Sequence, residues 1–96
     1  MARVSIIVPT WNRAPFVGHA VASVQAQTFA DWELVVVDDG STDDTEATLR
    51  PLLADRRVRY LRQERRGQAA ARNTGLRATA APLVCFLDSD DFWPAT

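Results

Sequence analysis

Four short apolar runs mark the chain: Val4 to Val8 (VSIIV), Glu33 to Val37 (ELVVV), Val58 to Leu61 (VRYL) and Leu83 to Leu87 (LVCFL). Each is about five residues long and rich in β-branched types. The first, second and fourth are nearly continuous rather than alternating, as strands covered on both faces are. The third alternates with Arg57, Arg59 and Arg62 and reads as a more exposed edge strand. Between the runs the period changes to that of a helix. Pro15 suits a first helical turn, and Phe16, Val17, Ala20, Val21 and Val24 share one face. Ser41 or Thr42 can cap a second helix, with Asp43, Asp44 and Glu46 in its first turn and Leu49, Leu52 and Leu53 as its apolar side. Pro51 predicts a kink or early end there. A third, alanine-rich helix runs from Gln68 to Ala78.

The order βαβαβαβ specifies an α/β fold, a Rossmann-like parallel sheet with right-handed crossovers and helices on both faces. A doubly wound half-unit has strand order 3-2-1-4, which places the first and fourth strands side by side. Ligands bind at the carboxyl ends of such strands, by the switch point. Three features lie at those ends: the turn Pro9-Thr10-Trp11-Asn12, the pair Asp38-Asp39, and the cluster Asp88-Ser89-Asp90-Asp91.

Composition narrows what those ends can bind. The 96 residues make one domain at most, and 47% hydrophobic with 24% charged residues is ordinary for a soluble globular chain. The formal net charge of -1 gives no global attraction to nucleic acid or to an anionic membrane. All eleven basic residues are arginine, so an anion site must use arginine, backbone amides or a metal. The absence of lysine excludes a Walker A loop, and no G-x-G-x-x-G follows a strand. A phosphoacceptor receiver domain carries an acidic pair after its first strand, where this chain has Pro-Thr-Trp-Asn. The single Cys85 lies in an apolar run and reads as an inert core thiol in a reducing compartment. No stretch approaches a membrane span, and a cytoplasmic location is expected.

The candidate chemistry is carboxylate and arginine. Asp38 and Asp39 end the second strand and Gly40 permits the tight turn; such acids serve either as turn residues or as acceptors for a base or ribose. Three acids within four residues at 88 to 91 repel one another unless a cation sits among them, and hard oxygen ligands suit Mg²⁺ or Mn²⁺; a solvated acidic turn is the plainer alternative. Arg65, Arg66, Gly67 and Arg72 precede or open the third helix, where basic groups and free backbone amides can meet a phosphate or a base edge, or simply solvate a face. Trp11 borders the ligand rim, Trp32 and Trp93 read as packing residues, and His19 as an ordinary helix-surface histidine.

Four blocks in order, VSIIVPTWNR (4 to 13), SVQAQTFADWELVVVDDGSTDDT (23 to 45), RRGQAAARNTGL (65 to 76) and FLDSDDFWP (86 to 94), resemble the amino-terminal half of a family 2 glycosyltransferase of the GT-A fold. The resemblance implies a nucleotide-sugar-binding half over residues 1 to 96, binding a nucleotide-diphosphate sugar for transfer to an acceptor hydroxyl with inversion. It implies Pro9 and Thr10 beside the nucleoside, Asp39 accepting from the base, Arg72 holding base or phosphates, and Asp88 near ribose or metal. Asp90 and Asp91 would be the ligands of Mn²⁺ or Mg²⁺. The general base and acceptor surface of such enzymes come from sequence beyond this stretch, so the expected properties of the chain alone are donor binding without transfer, and self-association through an exposed sheet edge. Two other classes remain to be weighed: a non-catalytic interaction module, and a nucleic-acid binder using Arg56 to Arg66 with Tyr60 to stack, against which the overall charge argues.

Overall fold

Alternation inside each strand decides which helix it meets. In the computed structural model, which describes residues 2 to 89, four parallel strands form one sheet in the order β3-β2-β1-β4. They are β1 (Val4–Thr10), β2 (Trp32–Asp38), β3 (Val58–Arg62) and β4 (Leu83–Phe86). The helices are α1 (Ala14–Gln25), α2 (Thr45–Leu49) and α3 (Gln68–Arg77), with a 3₁₀ turn over Arg50–Ala54. Ile6, Val8, Leu34, Val36 and Val58 face α1 and α2 with Val17, Ala20, Val21, Val24 and Leu49. Ile7, Val35 and Val37 face the other way, onto Ala71 of α3. The helices therefore cover both faces, and the strand order is the one expected from a doubly wound half-unit. Each fully buried valine or leucine contributes about 1.5–3 kcal/mol of transfer free energy, so the two near-continuous strands β1 and β2 hold most of the driving force.

Residue size sets how close α3 comes. A Cβ on Gly75 would stand 2.5 Å from Ile7 Cγ2, so only glycine lets the helix axis rest this near the sheet. With Ala71, it gives α3 a small-residue face over β1 and β2.

Three local expectations are corrected. Phe16 is 51% exposed: it lies at the margin of the α1 stripe, while Val17, Ala20, Val21 and Val24 occupy the centre and are buried. Neither Ser41 nor Thr42 caps α2, which starts only at Thr45. The Ser41 hydroxyl instead accepts the Asn12 N–H, and Asp43 accepts the N–H groups of both Thr45 and Ala14, so one carboxylate serves the starts of α2 and α1 together. The fourth strand, expected to be covered on both faces, leaves Leu83, Val84 and Phe86 exposed, because it is an edge strand and α3 lies over β1 and β2. Elsewhere the structure follows the pattern: α2 gives way to the 3₁₀ turn just ahead of Pro51, β3 is the opposite edge, Trp32 is a packing residue and Cys85 is half-buried against the core.

Candidate functional site

The register brings the chemistry together. Thr10 pairs with Asp38, and Asp38 with Arg62, so β1, β2 and β3 end level. The chain continues the alignment past the strands: Asp39 N–H donates to Thr10 O at 2.9 Å, and Leu87 N–H to Ile7 O at 3.0 Å. At this rim lies a cleft of about 340 Å³ bordered by Pro9, Thr10, Trp11, Asp39, Arg65 and Asp88, with Arg13, Gln68, Ala71 and Ser89 completing it.

Asp38 and Asp39 divide the labour. Asp38 is fully buried and turned away from the cleft's lining; its Oδ1 accepts the Ser41 N–H at 2.8 Å, and its Oδ2 accepts from the Tyr60 hydroxyl and from Arg62. Three donors thus meet this buried carboxylate, and buried polar groups are tolerated when they are hydrogen-bonded in this way. Burial and the bond to Asp38 together push the Tyr60 hydroxyl up to about 12. Asp39 lines the cleft. Its Oδ1 accepts from Gln63 Nε2 (2.9 Å) and Arg66 N–H (2.8 Å), and its Oδ2 from Gly67 N–H (2.8 Å). Burial raises its pKa, but the Gln63 amide, the two backbone N–H groups and the nearby Arg65 charge outweigh it and hold the carboxyl below its ordinary value. Two of the backbone amides expected to be free for a phosphate, those of Arg66 and Gly67, are thus already taken by Asp39. An ionised carboxylate offers about four lone pairs; three are used, and one on Oδ2 is left.

The turns are tied to one another. Asn12 adopts φ 51°, donates its N–H to Ser41 Oγ, and accepts the Thr42 N–H on Oδ1. Gly40 has φ 78°, and a Cβ there would meet Arg65 N at 3.0 Å. The segment 63 to 67 is therefore pressed against the β2 turn, and Arg65 is carried over the cleft with its guanidinium carbon 3.4 Å from the centre of the Trp11 ring.

Of the residues singled out in the sequence, Pro9, Thr10, Asp39 and Asp88 line the cleft. Thr10 is buried and its Oγ1 has no hydrogen-bond partner among the described residues. Arg72 stands beside the cleft, 3.9 Å from Asp88 Oδ1 and 5.7 Å above the Phe86 ring. Asp88 is exposed and among the described residues makes only that long contact with Arg72, which leaves its oxygens open to a hard cation. Asp90 and Asp91, the expected metal ligands, lie outside the described residues, as do Phe92 and Trp93. Among the described residues no group of three metal-type side chains occurs. Arg13 and Gln68 were not foreseen, since nothing in their local sequence marks them, and Ser89 was placed at the rim only as part of the cluster 88 to 91; the level strand ends bring all three to the cleft. Within the basic stretch from Arg56 to Arg66, Arg57 is paired with Asp55, Arg59 with Glu33 and Arg62 with Asp38. No helix among the described residues is long and apolar enough to cross a membrane.

A parallel half-sheet with a carboxylate-lined cleft at its strand ends defines an α/β domain of the Rossmann-like type. The chain belongs to glycosyl transferase family 2, whose profile matches residues 5–96. It is 40% identical over 91 residues to an uncharacterized glycosyltransferase of Rickettsia felis, covering 95% of this chain and 15% of that protein. It is 42% identical over 93 residues to the Escherichia coli UDP-Glc:alpha-D-GlcNAc-diphosphoundecaprenol beta-1,3-glucosyltransferase WfgD, covering 96% of this chain and 36% of WfgD. Among solved structures, the mannosyltransferase PcManGT from Pyrobaculum calidifontis in complex with GDP-Man and Mn²⁺ superposes with a TM-score of 0.89 at 36% identity, over 97% of this chain and 29% of that one. S. aureus TarS 1-349 in complex with UDP-GlcNAc gives 0.88 at 32% identity, over 96% and 27%. The chain thus spans little more than about a third of the length of these proteins at most.

Proposed function

We propose that this chain is the donor-binding half of a glycosyltransferase, holding a nucleoside-diphosphate sugar in the cleft at the ends of β1, β2 and β4 for inverting transfer to an acceptor hydroxyl. The observation that carries the reading is the state of Asp39. It is fixed by three donors and held ionised, with one lone pair that no described residue uses, in a cleft that also contains the Thr10 hydroxyl, unpartnered among the described residues. Such a carboxylate accepts from the N–H of a base. Pro9 and Thr10 lie where the nucleoside would rest, and Arg72 is near enough to Asp88 to hold phosphate oxygens beside it. Asp88, with Asp90 and Asp91 following in sequence, would hold a divalent ion. Bound there, Mn²⁺ or Mg²⁺ neutralises charge developing on the departing diphosphate. The protein's own part is to hold the donor in one orientation. The GDP-Man, Mn²⁺ and UDP-GlcNAc complexes of the similar structures support this reading.

Calorimetric titration of the folded chain with UDP and with GDP, each with and without Mn²⁺, tests it. Metal-dependent binding of at least one is expected, with the metal dependence reduced in Asp88→Asn, a substitution at an exposed position. A folded chain that binds neither nucleotide would overturn the reading.

A further inference from the structure

Arg65 lines the cleft as a cation with no part in the donor contacts proposed above, and unlike Arg13 it is stacked on an aromatic ring. No hydrogen bond or ion pair to another described residue holds its guanidinium, yet its place is not arbitrary. Its backbone is pressed on Gly40, the next two amides are fastened to Asp39, and its planar group is stacked on Trp11. Stacking fixes the plane of the fork while leaving its five N–H groups unspent. Asp39 lines the same cleft, and its Oδ2 accepts from only one donor among the described residues. An acceptor-only group and a donor-only group therefore stand side by side over the place proposed for the base.

We propose that Arg65, carried on Trp11, is a specificity-determining residue that reads a carbonyl of the donor's base while Asp39 takes the neighbouring ring N–H. The inference rests on the donor-site reading above. The matching edge is a ring N–H with a C=O on the side away from the sugar, C4=O in uracil and thymine and C6=O in guanine, and this is the carbonyl assigned to Arg65. Put cytosine in the same pose and its bare ring nitrogen meets the Asp39 lone pair, while its amino group meets the guanidinium. Sliding the ring to put the amino group on Asp39 offers Arg65 only the C5–H and displaces the ribose. Both alternatives leave a charged group short of a partner, and hydrogen bonds to charged groups are worth about tenfold to a hundredfold in affinity.

The test is equilibrium titration of the full chain with UDP and CDP in the presence of Mn²⁺, on the wild type and on Arg65→Ala. Arg65 is exposed and its side chain is not part of the core, so the variant should unfold at the same temperature, which circular dichroism checks. The wild type is expected to prefer UDP by about tenfold or more, and Arg65→Ala to weaken UDP by about tenfold with CDP nearly unchanged, so that the preference collapses. Equal weakening of both nucleotides would assign Arg65 to the phosphates, and no weakening would assign it no contact. Either result overturns this proposal and leaves the donor site standing. Failure of the folded wild type to bind any of UDP, CDP or GDP sinks the donor site itself, and this inference with it.

Discussion

Asp38 and Tyr60 show how a single contact can be read from outside the molecule. The chain has one tyrosine, so absorbance titration reports Tyr60 alone. The expected midpoint is about 12, against an ordinary value of 10, because burial and the Asp38 carboxylate both resist a phenolate. The folded pKa lies above the unfolded one, so this contribution to stability is complete below about pH 10 and is lost as pH rises towards 12. A midpoint near 10 in the folded chain would mean that Tyr60 is not held against Asp38. The local sequence VVVDDGS marks both aspartates as strand-end acids without separating them. Which one turns inward to Tyr60 and which one faces the cleft follows from strand pleat: neighbouring side chains point to opposite faces, and only the placement of β3 says which face holds Tyr60.

At the scale of elements, two glycines in helices make opposite predictions. Gly75→Ala adds a Cβ that collides with Ile7 Cγ2, a branch on a stiff side chain. Overpacking costs about 1–3 kcal/mol, while alanine's helix propensity returns about 1 kcal/mol, so a net loss in urea midpoint is expected. Gly18→Ala meets only Thr48 Cγ2 at 3.4 Å, an ordinary contact, and should be neutral or stabilising in the same measurement. Equal effects from both would contradict the close docking of α3. The elements themselves were legible, since β-branched runs and 3.6-residue stripes are local signals. The start of α2 was not: Ser41 has the chemistry of a cap, but Asn12, twenty-nine positions away, presents an N–H that uses its hydroxyl. Phe16 fits the α1 period and is nonetheless exposed, because periodicity gives the direction of a stripe and not how far its partner extends.

For the molecule as a whole, the two sheet edges differ. The β3 edge carries Arg59 and Arg62, each paired with a carboxylate, and charged edges resist strand addition. The β4 edge presents Leu83, Val84 and Phe86, with exposures of 57%, 40% and 46%. An apolar edge of this kind invites pairing, and we expect the isolated chain to self-associate with concentration in sedimentation velocity. Val84→Lys, which puts a charge on that edge, should shift the distribution towards monomer; a wild type that stays monomeric at all concentrations would count against the edge as the contact.

The sequence by itself determined the alternation of strands and helices, the doubly wound order and the acidic strand ends, because these depend on local period, on handedness and on where polar residues interrupt apolar runs. Four blocks in the right order also carried the family. Only the tertiary structure decided that Asp39 binds the loop before α3 and keeps one lone pair, that this loop sets Arg65 on Trp11, and that Arg72 stands beside the cleft rather than in its lining. These contacts join residues about twenty-five to fifty-five positions apart, and no local pattern encodes them. They arise when parallel register brings three strand ends level and the connecting turns must satisfy one another's backbone groups.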